Sequence, residues 1–297
     1  MNTRMQVKLL TDGRRLHLHD GPIDLIIEAF GEMHQIDAAY RAAVRRFATV
    51  LDELCSELSL LRRPYDAGGP QPGGTVAQRM AAAVAPYATQ TFITPMAAVA
   101  GAVAEEILEA MTSAVDLDRA YVNDGGDIAI HLRPGQRFVV GMVERPDRPS
   151  LFGSAKLNAD QPVRGIATSG WHGRSFSLGI ADAVTVLADR AAMADAAATI
   201  IANAVDLPGH PLITRVRARD LAPDSDLGDR LVTQGVRDLD DSDISAALDA
   251  GSTMAESLLS AGLIRATALC LQQQTRLITQ TNTKLKITSS HGSLVHA

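Results

Sequence analysis

Three stretches of the chain hold residue types that could do chemistry. The densest is Gly165–Ser175, which reads Gly-Ile-Ala-Thr-Ser-Gly-Trp-His-Gly-Arg-Ser. It puts hydroxyls, an imidazole and a guanidinium beside the only tryptophan of the sequence. Arg174 could grip a phosphate through two parallel N–H bonds. Trp171 could stack on a flat ring, and His172 could act as acid, base or ligand. Ser169 and Ser175 are conceivable nucleophiles, but the G-x-S-x-G elbow is absent. Ala167 stands two before Ser169, and Ser177 stands two after Ser175. The same composition also suits a polar loop with one aromatic plug.

The second stretch is Val122-Asn123-Asp124-Gly125-Gly126-Asp127-Ile128. Gly125 and Gly126 between two apolar segments let the backbone turn with φ > 0 and bare its N–H groups. Such amides can hold a phosphate or the edge of a base. They serve equally in an ordinary hairpin turn. The flanking Asp124 and Asp127 would attract a cation and repel a naked phosphate. The third stretch is Asp195-Ala196-Ala197-Ala198-Thr199. On a helix, residues four apart share a face. A carboxylate and a hydroxyl there are both oxygen ligands and suit Mg²⁺ or Ca²⁺. An Asp near a helix start also serves simply to satisfy backbone N–H groups.

These groups need elements to position them, and the rest of the chain supplies an alternation of strands and helices. Val7–Ile27 reads as a hairpin with turn signals at Asp12-Gly13 and Asp20-Gly21-Pro22. From Met33 the apolar positions Ile36, Tyr40, Val44, Phe47, Leu51, Leu54, Leu58 and Leu61 keep three-or-four spacing, which predicts one long helix. Pro64 and the Gly/Pro-rich Ala67–Gly74 end it, and that stretch is a candidate lid or linker. A helix over Thr75–Pro86 follows. Pro95 opens an Ala-rich helix to about Met111, and its small residues leave a smooth face for a sheet or a flat ligand. Strands are expected at Ala120–Val122, Ile128–Leu132, Phe138–Val143, Val163–Thr168, Ala183–Leu187 and Leu231–Val236, with a last one near Ala268–Ile278. Helices are expected over Ala191–Val205 and Ser242–Ala261, the latter with acidic residues at its start and Gly262 as its stop. The fold class is therefore α/β layers, a largely antiparallel sheet flanked by helices.

Composition bounds the function. At 297 residues with 46% hydrophobic and 21% charged, the chain is globular and can bury a core. A net charge of −6 gives no reason to expect nucleic acid. Cys55 and Cys270 are isolated and read as two buried, reduced thiols. The polar first ten residues show no signal-peptide core and no apolar run is long enough to span a bilayer, so the expected location is the cytoplasm, with no membrane partner.

The order of the motifs is itself informative. Ala97-Ala98-Val99-Ala100-Gly101-Ala102, then Tyr121–Ile128, then Ala167-Thr168-Ser169-Gly170, then Ala183-Val184-Thr185-Val186, then Ala194–Thr199 resembles the ApbE flavin transferases. The run Gly179-Ile180-Ala181-Asp182-Ala183 looks more like the UPF0280-type branch of ApbE-like proteins. The resemblance implies a single ApbE-like (T-fold-like) domain over residues 1–280, core motifs over 90–205, and a tail over 281–297 that frays. It implies a cleft for FAD or another nucleotide, with Gly125, Gly126, Thr168, Ser169 and Gly170 as binding residues and Mg²⁺ on Asp195 and Thr199, and Trp171 joins the binding residues for its flat ring. His172, Ser169 and Arg174 are the candidate catalytic groups. Two departures weigh against FMN transfer itself. The family's Lys is Ala100 here, and the His-bearing stretch before the Val-Thr-Val strand has no counterpart. The expected function is thus binding of a nucleotide-like or small anionic ligand, with or without chemistry. A role as an assembly component in sulfur (homocysteine) or cofactor metabolism is the implied alternative, and a homodimer is expected from the long amphipathic helix and the Ala-rich faces.

Overall fold

The computed structural model describes residues 4–143, 151–279 and 286–289. In chain order the elements are strands β1 (Gln6–Leu9), β2 (Leu16–Asp20) and β3 (Ile23–Phe30), then helices α1 (Met33–Ser56), α2 (Leu58–Leu61) and α3 (Thr75–Val84). A 3₁₀ turn at Pro95–Ala98 leads into α4 (Val99–Ala114). Strands β4 (Arg119–Asp124), β5 (Asp127–Leu132), β6 (Arg137–Val143), β7 (Leu151–Asn158), β8 (Gly165–Ser169) and β9 (Ala183–Ala188) follow. The remainder is α5 (Ala191–Ala204), β10 (Ile213–Arg217), α6 (Ala218–Leu221), β11 (Leu231–Val236), α7 (Asp241–Ser260), β12 (Ala266–Leu271), β13 (Gln274–Thr279) and β14 (Lys286–Ser289). This is the expected mixture of antiparallel sheet and flanking helices.

The chain divides into two compact units. The first holds the residues up to Arg137 with Asn158–Ala167 and Asp189–Ala196. Its sheet runs β1-β2-β3-β4-β5, each pair antiparallel, and β5 pairs with the start of β8 through Ile128 and Ile166. Alternation decides which face is covered. Leu16, Leu18, Leu25, Ile27, Ala120 and Val122 are buried, while His17, His19 and Asn123 between them stay partly exposed. Helices α1 and α4 pack on this unit's strands and on each other, α1 through Ala39, Ala43, Phe47, Val50 and Leu54.

The second unit holds Phe138–Leu157, Thr168–Ala188 and the residues from Ala197 on. Strand β12 lies between β9 and β13, antiparallel to both, and α7 packs on β12 and β13. Every residue of β9 and of β12 is buried. The ladders β14-β7-β6 and β10-β11 complete the unit.

Several local expectations change. Cys55, expected to be buried, is exposed, whereas Cys270 is buried. The long helix breaks at Glu57, whose φ of −109° and ψ of 6° leave the helical region. The Glu57 carboxylate instead accepts the amides of Gly73 and Gly74, 2.7 and 2.8 Å away. That caps α3, whose Gly74 has no side chain to do so, and it ties down the end of the stretch read as a lid. The Gln71 amide binds the carbonyls of Asp66 and Gly69 within the same stretch. The strand expected over Ala268–Ile278 is a hairpin, β12 and β13, turning at Gln272-Gln273. Strands β7 and β10 had no counterpart in the sequence reading. Of the tail, Lys286–Ser289 pairs with β7, and the expectation for the rest of 281–297 lies outside the described residues.

Candidate functional site

The second unit gathers the tryptophan, the histidine and a carboxylate that the motif reading passed over. Gly170 lies flat on the backbone of Ala181 and Asp182, and a Cβ at Gly170 would run into the Asp182 carbonyl. That contact is why the loop needs glycine there. The Trp171 amide then donates to the Ala181 carbonyl at 3.0 Å, and Gly173 turns back onto the Gly170 carbonyl at 3.1 Å. So held, Trp171 and His172 both reach Asp182. The indole Nε1–H donates to Asp182 Oδ1 at 3.2 Å. His172 Nε2 stands 3.2 Å from the same oxygen. The two rings lie against each other with centroids 3.7 Å apart and planes tilted by 35°.

Asp182 is buried, 7% exposed, and a buried carboxylate must find donors. Its second oxygen accepts the Gln272 amide at 2.6 Å, and its own amide donates to the Cys270 carbonyl. Because an ionised carboxylate only accepts, His172 presents a proton on Nε2. In the neutral ring the basic lone pair is then on Nδ1, the nitrogen able to take a proton from a hydroxyl or thiol. The other loop residues divide between interior and surface. Thr168 at the end of β8 meets Thr185 of β9, oxygens 2.9 Å apart. Ser169 is half-buried, while Arg174 and Ser175 are exposed.

The first unit gathers Asp195 and the Gly-Gly turn. Gly125 and Gly126, with φ of 65° and 119°, make a two-residue hairpin turn between β4 and β5. One of its bare amides is already taken, since Gly126 donates to the Asn123 side chain at 2.8 Å. Asp124, just before the turn, is buried, and its charge acts on Asp195. The Asp195 carboxylate accepts the Gly101 amide at 3.0 Å and the Ala100 amide as well. These are N3 and N2 of α4, whose own N-cap, Ala98, has no side chain to offer. Asp195 is therefore a cap supplied from another helix. The favour is returned: Glu105 of α4 accepts the Ala192 amide in the first turn of α5 at 2.8 Å. Gly101 makes the approach possible, because a Cβ there would collide with the Ala191 carbonyl. Burial, together with the Asp124 charge, pushes Asp195 up to about 7 against the pull of the α4 amides.

A hard cation takes about six oxygen ligands. Asp195 and Thr199 offer two groups, one of them engaged with the α4 amides. Among the described residues no three His, Cys, Asp or Glu side chains are grouped to hold a metal. The donors fall short of a magnesium site, and no step is derived through a metal. A groove of about 620 Å³ elsewhere in the first unit, between Arg46, Glu57 and Thr75, contains none of the candidate residues.

The family described as AbpE bacteria matches residues 7–277, nearly the whole chain. The chain belongs to that family. It is also similar to the UPF0280 protein of Methanopyrus kandleri, 41% identical over 43% of this chain and 48% of that protein. The UPF0280 protein of Methanosarcina barkeri is 34% identical over 61% of this chain and 65% of its own length. The chain thus spans about half to two thirds of the length of these relatives. The expected likeness to the ApbE-like, UPF0280-type branch is borne out. Among solved structures, the flavinyl transferase ApbE of Pseudomonas stutzeri, in its apo form, aligns over 97% of this chain and 96% of its own. Its identity is 10% and its TM-score 0.41, too remote to bear on the reaction.

Sequence reasoning had named Trp171 and His172 but missed Asp182 and Gln272. A signal for Asp182 existed, because it is the one charged residue in the apolar run Leu178–Ala188. Gln272 carried none that distinguishes it from Gln273 and Gln274 beside it. No helix among the described residues is long and apolar enough to cross a membrane.

Proposed function

We propose that this protein binds a small anionic, nucleotide-like ligand on the Thr168–Arg174 loop. The observation that carries the reading is one buried carboxylate, that of Asp182, holding an indole, an imidazole and a backbone amide together under that loop. Holding polar groups in one arrangement before a ligand arrives lowers the ordering cost of binding. Arg174 is the exposed cation for the anionic group, and Ser169 precedes it in the same loop. FAD belongs among the ligands to try because the sequence resembles the flavin transferases. His172, with a basic Nδ1, is the group that would take a proton if the bound ligand reacts. Ala100, where the transferases carry Lys, favours binding over phosphoryl cleavage, because no cation stands there to meet developing charge.

Calorimetric titration of ADP, FMN and FAD, with and without Mg²⁺, tests the reading. The expected outcome is binding of at least one of them with a Kd around micromolar, roughly −8 kcal/mol, weakened about tenfold or more in Arg174→Ala. If none binds, or if Arg174→Ala binds as well as the native chain, the loop is not the site. Binding that requires Mg²⁺ and disappears in Asp195→Ala would instead return the metal role to Asp195 and Thr199.

A further inference from the structure

We infer that Asp182 and Gln272 are the positioning residues of this site, acting on the ligand through Trp171 and His172 and not by touching it. The inference rests on the reading of the Thr168–Arg174 loop as the ligand site. It starts from backbone strain. Gln272 and Gln273 sit at φ of 43° and 70°, and they are the only non-glycine residues with positive φ among those described. The left-handed region is sterically unfavourable for an L-residue with a Cβ, and two-residue hairpin turns ordinarily use Asn or Gly there. Such outliers persist where the surroundings over-determine them.

The surroundings do so at Gln272. Its side-chain carbonyl accepts the Leu239 amide, and its side-chain amide donates to the Arg237 carbonyl, both at 2.9 Å. Its main-chain N–H donates to Asp182 Oδ2 at 2.6 Å. With that oxygen committed, Asp182 Oδ1 is left to receive Trp171 and His172 together. The chain of contacts thus runs from the segment before α7, through Gln272 and Asp182, to both rings of the loop. Without the Gln272 amide, Asp182 Oδ2 would lose its donor and the carboxylate one of the contacts that fix its rotamer. Both ring orientations and the His172 tautomer depend on that one rotamer.

The test uses the full chain labelled with ¹⁵N, because its one tryptophan gives one indole N–H resonance. In the native protein that resonance is expected downfield of a free indole, and His172 is expected as the Nε2–H tautomer, assigned by its loss in His172→Gln. Asp182→Asn keeps the shape but has one acceptor oxygen in place of two. It is expected to move the indole resonance, to shift His172 toward the Nδ1–H form, and to weaken ADP binding at least about tenfold with the circular dichroism unchanged. Gln272→Ala, which leaves Asp182 intact, is expected to move the indole resonance in the same direction by less, and it serves if Asp182→Asn does not fold. Unmoved indole and imidazole resonances in these variants would overturn the positioning role whatever ADP does. Moved resonances in a protein whose native form binds neither ADP nor FAD would leave the positioning chain standing and remove the ligand reading alone.

Discussion

Asp195 shows how far a residue's type falls short of its role. In the sequence an Asp and a Thr four apart suggest oxygen ligands on one helical face, while the folded chain spends that carboxylate on the amides opening α4. Its partner was out of sequence range, 94 residues away, so spacing alone could not find it. The consequence is a pH dependence with a definite sign. Burial holds Asp195 at about 7 in the fold, above its ordinary 3.8. Below about pH 4 both folded and unfolded chains keep the proton and the contribution is complete. From there the unfolded chain ionises first, so stability falls as pH rises and levels off above 7. The whole effect is about 4 kcal/mol at the outside, at about 1.4 kcal/mol for each pH unit of the shift. Asp195→Asn keeps an oxygen for the Gly101 amide and cannot ionise. The variant should therefore lose less stability than the native chain between pH 5 and pH 8 in urea unfolding. Equal losses in both proteins would mean that Asp195 ionises freely in the fold.

At the level of elements, the reciprocal caps join α4 to the start of α5 more firmly than helix propensity would. Composition pointed to both helices, one an Ala-rich run opened by Pro95 and the other a run almost without charge, and the small-residue face of α4 left sheet packing and a flat ligand open. The identity of the contact, Gly101 under the Ala191 carbonyl, depends on tertiary approach and leaves no local trace. Glu105 caps α5 and pairs with Arg79 and Arg190, each at 3.3 Å. Glu105→Ala should cost about 1–2 kcal/mol, a lost cap together with a weakened cluster of partly buried charges. Glu105→Gln keeps the acceptor and should cost less, as read from urea midpoints at constant slope. Equal costs would assign the effect to charge and not to the cap. The β12–β13 turn is the complementary case. The sequence reading ran one strand through it because Gln-Gln lacks the Asn or Gly that announces such a turn. Gln273 has φ of 70°, so Gln273→Gly should relieve strain. After the entropy that glycine costs, the expected gain is about 0.5 kcal/mol. A loss of stability would mean that the side chain at 273 makes a contact that matters more than the strain.

Across the whole molecule, the alternation of helix and strand made the fold class legible, and the order of five weak motifs made the family so. Neither could show how stability is distributed, because that depends on which strands end up central. Strand β9 is a run of Ala, Val, Thr and Leu that reads as central, and all six of its residues are buried. Strand β12 is equally buried, although its polar Thr267 gave no such sign; the hydroxyl is satisfied by the Thr185 carbonyl at 3.0 Å. Strand β1, by contrast, is exposed at all four positions and pairs on one side only, with β2. Backbone amides exchange with solvent through local openings whose cost tracks the apolar contact they must break. The slowest exchange in the protein should therefore fall on the amides shared by β9 and β12, from the Ala266–Leu187 pair to the Cys270–Ala183 pair. Those of β1 should exchange at least about a thousandfold faster, a gap of about 4 kcal/mol. Deuterium uptake followed by mass spectrometry over minutes to days reads this directly. Protection of β1 comparable to β9 would mean that its exposed edge is covered in solution, and a second copy of the chain would be the first occupant to look for by sedimentation. Rapid exchange across β9 and β12 would contradict the packing itself, since no other pair of strands among those described is buried at every residue.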